Sequence, residues 1–239
     1  MNAPIALVVG GTSGVGLATA RQLQARGATV HIAGRSAARL AEVAGTDPDL
    51  IGHQVDGGDR DAVSALAEQI GVIDWLVITL AGSEGVGPIA DLDLGMLRNA
   101  FEAKFWGHIT TVQAALPHLS PTGSITLLGA VTARTGMPGT AGIGAINAAV
   151  EALVRPLAAE LAPIRVNAVS PGFVDTPWWS GLPEEAKRDY FATAAAALPA
   201  RRIATAEDIA EVVALAATNR NITGTVIEAD GGARLVTIG

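Results

Sequence analysis

The chain has 239 residues, a net charge of −7 and no cysteine. This length allows one large domain with a full core, and the lack of cysteine excludes disulfides and thiolate chemistry. The acidic balance, with only 16 lysines and arginines, argues against nucleic acid as a partner. No apolar run approaches a membrane span of roughly 20 residues, and the first residues lack the pattern of a signal peptide. We therefore expect a cytoplasmic protein with no membrane partner and no metal.

Apolar runs and helical periodicity alternate along the chain. Continuous apolar runs are typical of strands buried on both faces. They predict strands at 5–9, 29–33, 50–55, 73–80, 124–128, 164–169 and 226–228. Helical spacing predicts helices at 17–26, 36–44, 59–70, 94–119 and 140–161, with a bend near Pro156, and a last helix after Thr205.

This alternation predicts an α/β fold, a Rossmann-type doubly wound parallel sheet of about seven strands with helices on both faces. We expect a single domain over residues 1–239. Residues 176–202 contain Trp, Gly and Pro without a clean period, which predicts a mobile excursion.

A glycine turn follows the first predicted strand. Gly10, Gly14 and Gly16 stand between this strand and a helix. A pyrophosphate needs backbone N–H groups at a helix N-terminus and no side chains in the way, which this turn supplies. The turn therefore predicts a dinucleotide site, although a tight strand-to-helix turn without a ligand would have the same glycines.

Six motifs in order resemble the short-chain dehydrogenase/reductase family over almost the whole chain. They are Val9–Gly16, with Val9 where that family has threonine, then Asp56, Leu80–Gly82, Arg165–Gly172, Thr176 and Asp230–Gly232. The resemblance implies a nicotinamide cofactor and a lid over the substrate at 176–202. It also implies the cofactor-binding residues Gly10, Thr12, Ser13, Gly14, Val15, Gly16, Arg35, Asp56, Gly57, Ala81, Gly82, Asn147, Pro171, Gly172, Val174 and Thr176.

The end of the second strand indicates which nicotinamide cofactor is preferred. An acid there would accept hydrogen bonds from both ribose hydroxyls and favour NAD. This chain has Gly34 and then Arg35, whose guanidinium can clamp a 2′-phosphate. We therefore expect NADP(H) rather than NAD(H), unless Arg35 is an ordinary solvated arginine after a turn.

The residues that transfer protons in similar enzymes are all changed in this chain. The family's tyrosine and lysine fall on Ile143 and Asn147, its serine on Ala130 and its asparagine on Lys104. Our hypothesis is that Lys104 restores the positive charge near the nicotinamide ribose while Asn147 bonds the ribose hydroxyls. The alternative is that Lys104 is a helix lysine whose stem packs and whose ammonium reaches water.

No replacement proton donor stands out. Tyr190, the only tyrosine in the chain, lies in the lid and is a candidate catalytic residue, with packing as the alternative. His108 is expected to pack, and Glu84 and Asp175 are expected to be solvated loop carboxylates near the cleft mouth.

Five residues are candidates for binding the substrate. Thr132 and Arg134 follow the fifth predicted strand and could bind a substrate oxygen, and Ile143 faces the same region. Trp178 and Trp179, at the start of the lid, suggest an apolar or aromatic substrate, or else packing of the lid on the body.

These observations leave three functions open. The first is a divergent NADP(H)-dependent oxidoreductase acting on a small, apolar carbonyl, imine or conjugated substrate. The second is a cyclase, isomerase or lyase on the same frame, and the third is a catalytically silent NADP(H)-binding protein. The helices at 94–119 and 140–161 pair between subunits in similar proteins, so we expect a homodimer or homotetramer.

Overall fold

The computed structural model describes residues 3–82 and 84–236. A seven-stranded sheet, entirely parallel, has the order β3-β2-β1-β4-β5-β6-β9, and a two-stranded sheet pairs β7 with β8. The strands are β1 (Ile5–Val9), β2 (Thr29–Gly34), β3 (Ile51–Gln54), β4 (Ile73–Ile78), β5 (Leu119–Leu128), β6 (Arg165–Pro171), β7 (Val174–Asp175), β8 (Ala204–Thr205) and β9 (Val226–Ala229). The predicted doubly wound α/β fold is confirmed.

Helices cover both faces of the sheet. They are α1 (Gly14–Ala25), α2 (Ala37–Thr46), α3 (Arg60–Ile70), α4 (Leu94–Phe101), α5 (Gly107–Ala115), α6 (Ala141–Ala152), α7 (Val154–Glu160), α8 (Glu184–Ala197) and α9 (Ala206–Thr218). Side chains of β1 alternate between two cores: Val8 packs with α1, α2 and α9, and Leu7 packs with α3, α5, α6 and α7. This alternation explains why the strand is apolar at every position.

Two helix starts follow the signals read in the sequence. The Ser36 hydroxyl accepts a hydrogen bond from the Arg39 backbone N–H at 3.3 Å and caps α2. Thr205 and Asp208 form a reciprocal capping box at the start of α9. β5 begins at Leu119 rather than at residue 124, because Leu119 already pairs with Ile73 of β4.

The predicted helix at 94–119 contains an irregular turn. A π-helical turn (Glu102–Trp106) separates α4 from α5, and a 3₁₀ turn (Leu116–His118) ends the segment. Lys104 lies in the π turn, and the His108 ring donates through Nδ1 to the Lys104 carbonyl at 2.7 Å. Such turns distort side-chain placement and are frequent at functional sites.

The predicted helix at 140–161 divides into α6 and α7 at Leu153. Pro156 has no N–H for the helical ladder, which fits a break one turn earlier. The expectation that no apolar run approaches a membrane span meets one borderline segment, in which Glu151 and Arg155 interrupt the apolar residues. Ala141–Glu160 has 20 residues, and an 18-residue window within it has a mean hydropathy of 1.2, enough for a span by length and composition only. Since Val150 and Val154 lie in the core of the sheet, this test is weak evidence for a membrane.

The segment predicted as an irregular excursion is partly helical. A 3₁₀ turn (Pro177–Trp179) is followed by the 14-residue α8. The prediction of an irregular segment missed this helix because only Ala194 of α8 is fully buried, so its apolar positions show no helical period.

Candidate active site

A cavity of about 1050 Å³ lies at the carboxyl edge of the main sheet. Parallel α/β sheets bind ligands at this edge, where the strand order reverses beside β1. Most of the residues predicted to bind the cofactor line it: Gly10, Thr12, Ser13, Gly14, Val15, Gly16, Arg35, Gly57, Ala81, Gly82, Asn147, Pro171, Gly172, Val174 and Thr176. The residues that the family resemblance implies, although spread over the chain, thus line one continuous wall.

The glycine turn is shaped by close backbone contacts. Gly10 has a φ of +89°, which favours glycine. A Cβ at Gly16 would lie 2.2 Å from the Gly10 carbonyl oxygen and 2.6 Å from Thr79 Oγ1. The Ser13 side chain does not cap α1, so the first N–H groups of that helix remain available to an anion in the cavity.

Two arginines lie where β2 leads into α2: Arg35 directly follows the strand, and Arg39 is in the first turn of the helix. Arg35 and Arg39 both line the cavity, together with Gly34. Asp56 does not line it, although its Oδ2 lies 4.0 Å from Arg35 Nη1. Sequence reasoning missed Arg39, although its place in the first turn after the Ser36 cap was a readable signal.

Lys104 is a buried cation on the cavity wall. Its side chain extends from the π turn, only 8% of its surface is exposed, and Nζ donates to the Gly129 carbonyl at 3.4 Å. Burial lowers the pKa of Lys104 to about 8, because removing the ammonium from water outweighs the opposing attraction of Glu151. An amine with this pKa exchanges protons near neutral pH.

Asn147 lies on α6 and is also buried. Its Nδ2 donates to Thr132 Oγ1 at 2.9 Å and to the Ile143 carbonyl at 3.0 Å. Its Oδ1 has no hydrogen-bond partner among the described residues. A buried amide oxygen without a partner costs free energy unless a ligand donates to it.

Arg134 is not on the cavity wall, so the structure gives no support to its predicted contact with substrate. Its guanidinium lies 2.5 Å from Glu151, 3.4 Å from Glu228 and 3.0 Å from Ser170 Oγ. Burial raises the pKa of Glu151 even though Arg134 and Ser170 oppose the shift. Arg134 is therefore the counter-ion of a buried carboxylate behind the cavity.

The other predicted substrate residues line the cavity: Thr132, Ile143, Trp178 and Trp179, with Tyr190 beside them. Trp178 Nε1 donates to the Gly82 carbonyl at 3.2 Å, which joins the start of the lid to the loop after β4. Trp179 packs on Tyr190 with ring centroids 5.5 Å apart. Burial raises the pKa of Tyr190, so its hydroxyl stays protonated at neutral pH.

Three further polar residues have distinct environments. Glu84 lines the cavity. Asp175 instead pairs with Lys187 at 2.7 Å. His108 is fully buried, and desolvation lowers its pKa to about 3, so it is neutral and packs as expected.

Comparison with known proteins assigns the family. A family model described as enoyl-(acyl carrier protein) reductase matches residues 9–234. The cis-4-hydroxycyclohexanecarboxylate dehydrogenase of Sinomonas cyclohexanicum is 35% identical over 95% of this chain and 95% of its own length. This chain belongs to the short-chain dehydrogenase/reductase family.

Solved structures of this family superpose closely. A small-chain dehydrogenase in complex with NADPH is 36% identical, with a TM-score of 0.86, and the match covers 98% of this chain and 100% of that one. The MalC reductase/Diels-Alderase from Malbranchea aurantiaca is 27% identical, with a TM-score of 0.88, over 98% of this chain and 97% of that one. The short-chain dehydrogenase/reductase fold is thus supported along the whole chain.

The four positions that the family resemblance singled out meet in the cavity. Ala130, Ile143, Asn147 and Lys104 all line it. Two of them carry no polar side-chain atom, and the other two provide one ammonium and one amide. The four positions therefore bring one ammonium, one amide and two apolar side chains to the cavity wall.

A nicotinamide dinucleotide fits the residues present. The N-terminus of α1 suits the pyrophosphate, because the Ser13 side chain leaves the first N–H groups of this helix uncapped and Gly14, at a φ of +51°, brings no side chain there. The free Oδ1 of Asn147 suits a ribose hydroxyl. These two features lie in one cavity and match the central pyrophosphate and the nicotinamide ribose of such a cofactor.

Proposed function

We propose that this oxidoreductase is NADP(H)-dependent and transfers hydride to or from a small, apolar carbonyl, imine or conjugated substrate. The observation that carries the proposal is the continuity of the cavity. It runs from the glycine cradle and two arginines to the buried Lys104 and Asn147, and then to an apolar wall and lid. Such a cavity can hold a dinucleotide and a small substrate in contact.

The preference for NADP(H) rests on charge at the end of β2. Arg35 and Arg39 line the cavity there, and Gly34 provides no carboxylate to repel a 2′-phosphate. Guanidinium groups pair well with phosphate oxygens in two-point contacts. The 36% identical relative in complex with NADPH adds support to this choice.

Lys104 is proposed to provide the positive charge that the family's lysine supplies in similar enzymes, and to donate the proton to the substrate oxygen. A nicotinamide held in this cavity would supply the hydride to the carbonyl carbon, and the electron pair of the C=O bond would then move to oxygen. The Lys104 ammonium stabilises the negative charge on that oxygen and returns a proton to it, directly or through one water. A pKa of about 8 makes this transfer easier than from an ordinary lysine.

Asn147 is proposed to hold the ribose of the cofactor. Its amide is fixed by two donated hydrogen bonds, so its Oδ1 keeps a constant position. A ribose hydroxyl that donates to Oδ1 would satisfy the buried acceptor without the family's lysine.

The test uses the two lysines of the chain as a matched pair. Cyclohexanone, 2-cyclohexenone and an N-methyl cyclic iminium cation are offered with NADPH, and NADPH oxidation and product are both measured. Lys104→Met should lower turnover or NADPH affinity at least tenfold, whereas Lys187→Met, on the lid helix, should change either little. If Lys104→Met keeps the wild-type turnover and NADPH affinity, Lys104 has no role in the mechanism. The proposed function fails if no substrate of the three classes oxidises NADPH.

A non-redox enzyme is the second candidate. Ala130 and Ile143 make the reaction centre apolar, and a 27% identical relative is described as both a reductase and a Diels-Alderase. Conversion of a substrate without any change in the nicotinamide would favour this candidate. NADPH binding with no conversion would favour a silent binding protein.

We also propose that the protein acts as a homodimer or homotetramer. Leu94, Met96 and Trp106, on α4 and the π turn, are about half exposed or more. This fits the expected pairing of the 94–119 segment with a second copy. Light scattering of the purified protein should give a mass of at least two chains, and a monomer at micromolar concentration contradicts it.

A further inference from the structure

The hydrogen bond between Asn147 and Thr132 has a fixed polarity. Asn147 Nδ2 carries two hydrogens, and a carbonyl such as that of Ile143 can only accept one of them. The amide nitrogen therefore faces both partners, and Thr132 Oγ1 accepts the second hydrogen at 2.9 Å. The hydroxyl hydrogen of Thr132 remains free for a different acceptor.

That acceptor is not provided by the part of the chain that the structure describes. Among these residues Thr132 Oγ1 makes no hydrogen bond other than that to Asn147. Thr132 lines the cavity, in the 3₁₀ turn Val131–Ala133 directly after β5. The free hydrogen is therefore available to a ligand in the cavity.

The position of Thr132 is tightly constrained. A Cβ at Gly144 would lie 2.7 Å from the Thr132 carbonyl oxygen, so the turn and α6 approach as closely as glycine permits. Its neighbours on the wall, Ala130 and Ile143, have no hydrogen to donate from their side chains. Thr132 thus presents a fixed hydroxyl beside an apolar surface.

We propose that Thr132, oriented by Asn147, donates the hydrogen bond that holds the substrate's carbonyl oxygen. Thr132 is then a catalytic residue that touches the substrate, and Asn147 is a positioning residue as well as a ribose ligand. The donated amide hydrogen polarises the hydroxyl and makes it a better donor. This inference rests on the proposed function and narrows its substrate class.

The substrate class becomes narrower because carbonyl and iminium groups differ in the lone pairs that can accept a hydrogen bond. A carbonyl oxygen accepts a hydrogen bond from Thr132, whereas an iminium nitrogen has no lone pair to accept one. A site with this donor therefore suits ketones, aldehydes and enones better than iminium cations. Discrimination of this kind is strong where a buried polar group would be left unpaired.

The experiment measures the binding of cyclohexanone to the NADP⁺-loaded protein by calorimetry at millimolar ketone. Thr132→Val should weaken binding by about 2- to 10-fold, the size of one hydrogen bond, and Thr132→Ser should restore it. Thr140→Val is the matched control, because the Thr140 hydroxyl already donates to the Met137 carbonyl at 2.8 Å. Its effect should be smaller than that of Thr132→Val.

Asn147→Asp tests the positioning role. A carboxylate accepts the Thr132 hydrogen instead of donating to Thr132, so the hydroxyl is no longer free for the ketone. Ketone affinity should fall as in Thr132→Val, and the double variant should bind no more weakly than either single one. In the wild-type protein with asparagine labelled by ¹⁵N, added cyclohexanone should shift the Asn147 side-chain amide protons.

The inference is overturned if Thr132→Val binds cyclohexanone like the wild type, or if the wild type does not bind cyclohexanone. Failure of the proposed function is scored separately, by NADPH oxidation. Hydroxyl-dependent ketone binding without hydride transfer would keep the oxygen site and reject the function. Hydride transfer that is unaffected in Thr132→Val would keep the proposed function and reject the oxygen site. If NADP⁺ does not bind, the function falls and the same titration on the free protein decides the inference.

Discussion

Replacing Lys104 by methionine should stabilise the protein while it impairs function. Burial lowers the pKa of this lysine from 10.5 to about 8. A shift of this size corresponds to a cost of about 3 kcal/mol for keeping the ammonium buried at pH 7. Methionine has a similar length and no charge, and the lost hydrogen bond to Gly129 is long at 3.4 Å. We expect a net gain of about 2 kcal/mol in the free energy of unfolding.

The pH dependence of this gain identifies its cause. The folded pKa lies below the unfolded one, so the cost is fully present below pH 8 and disappears as pH rises toward 10.5. Urea unfolding of both proteins between pH 7 and pH 10 should show the advantage of Lys104→Met shrinking with pH. Lys187→Met is the control: the Lys187 ammonium pairs with Asp175, which raises the pKa of Lys187, so no such gain is expected.

The reasoning is refuted if Lys104→Met is less stable than the wild type at pH 7. It is also refuted if the gain is the same at pH 7 and pH 10. An independent check is available because the chain has two lysines. Selective ¹³C labelling of lysine should give one Cε signal that titrates near pH 8 and a second that titrates well above it.

Two further changes test the cavity. Gly16→Ala places a Cβ against the backbone and should weaken NADPH binding at least tenfold in a titration. Gly45→Ala, where a Cβ meets nothing within 4 Å, should leave the NADPH affinity unchanged. If Gly16→Ala and Gly45→Ala bind NADPH equally well, the glycine turn does not hold the pyrophosphate. Trp178→Phe removes the indole hydrogen bond to Gly82 and should speed NADPH release by roughly 2- to 10-fold in stopped-flow. Trp106→Phe, outside the cavity, should release NADPH at the wild-type rate. If Trp178→Phe and Trp106→Phe release NADPH at the same rate, the hydrogen bond from Trp178 to Gly82 does not retain the cofactor.

The fold and the cofactor wall were readable because their signals are local. Gly10 needs a positive φ that glycine tolerates, and the turn that contains it recurs wherever a strand meets a phosphate-binding helix. Continuous apolar strands likewise follow from burial on both faces, as for β1. Arg35, read from the end of the second strand, and Asn147, implied by the family resemblance, both line the cavity.

Features that depend on partners far along the chain were not readable. Arg134 seemed to face substrate, but Glu151 and Glu228 reach it from α6 and β9. The π turn at Lys104 has the composition of an ordinary helix, so periodicity predicts no irregularity there. The contact between Asn147 and Thr132 joins two elements whose approach depends on a tertiary fit at Gly144.

The most direct test of the account is a calorimetric titration of the protein with NADPH and then with NADH, repeated on an Arg35→Ala/Arg39→Ala variant. Arg220→Ala, an exposed arginine just after α9, is the matched control. The account predicts micromolar NADPH binding, much weaker NADH binding, and loss of that preference in the double variant only. Equal affinity for the two cofactors, or no binding of either, would contradict it.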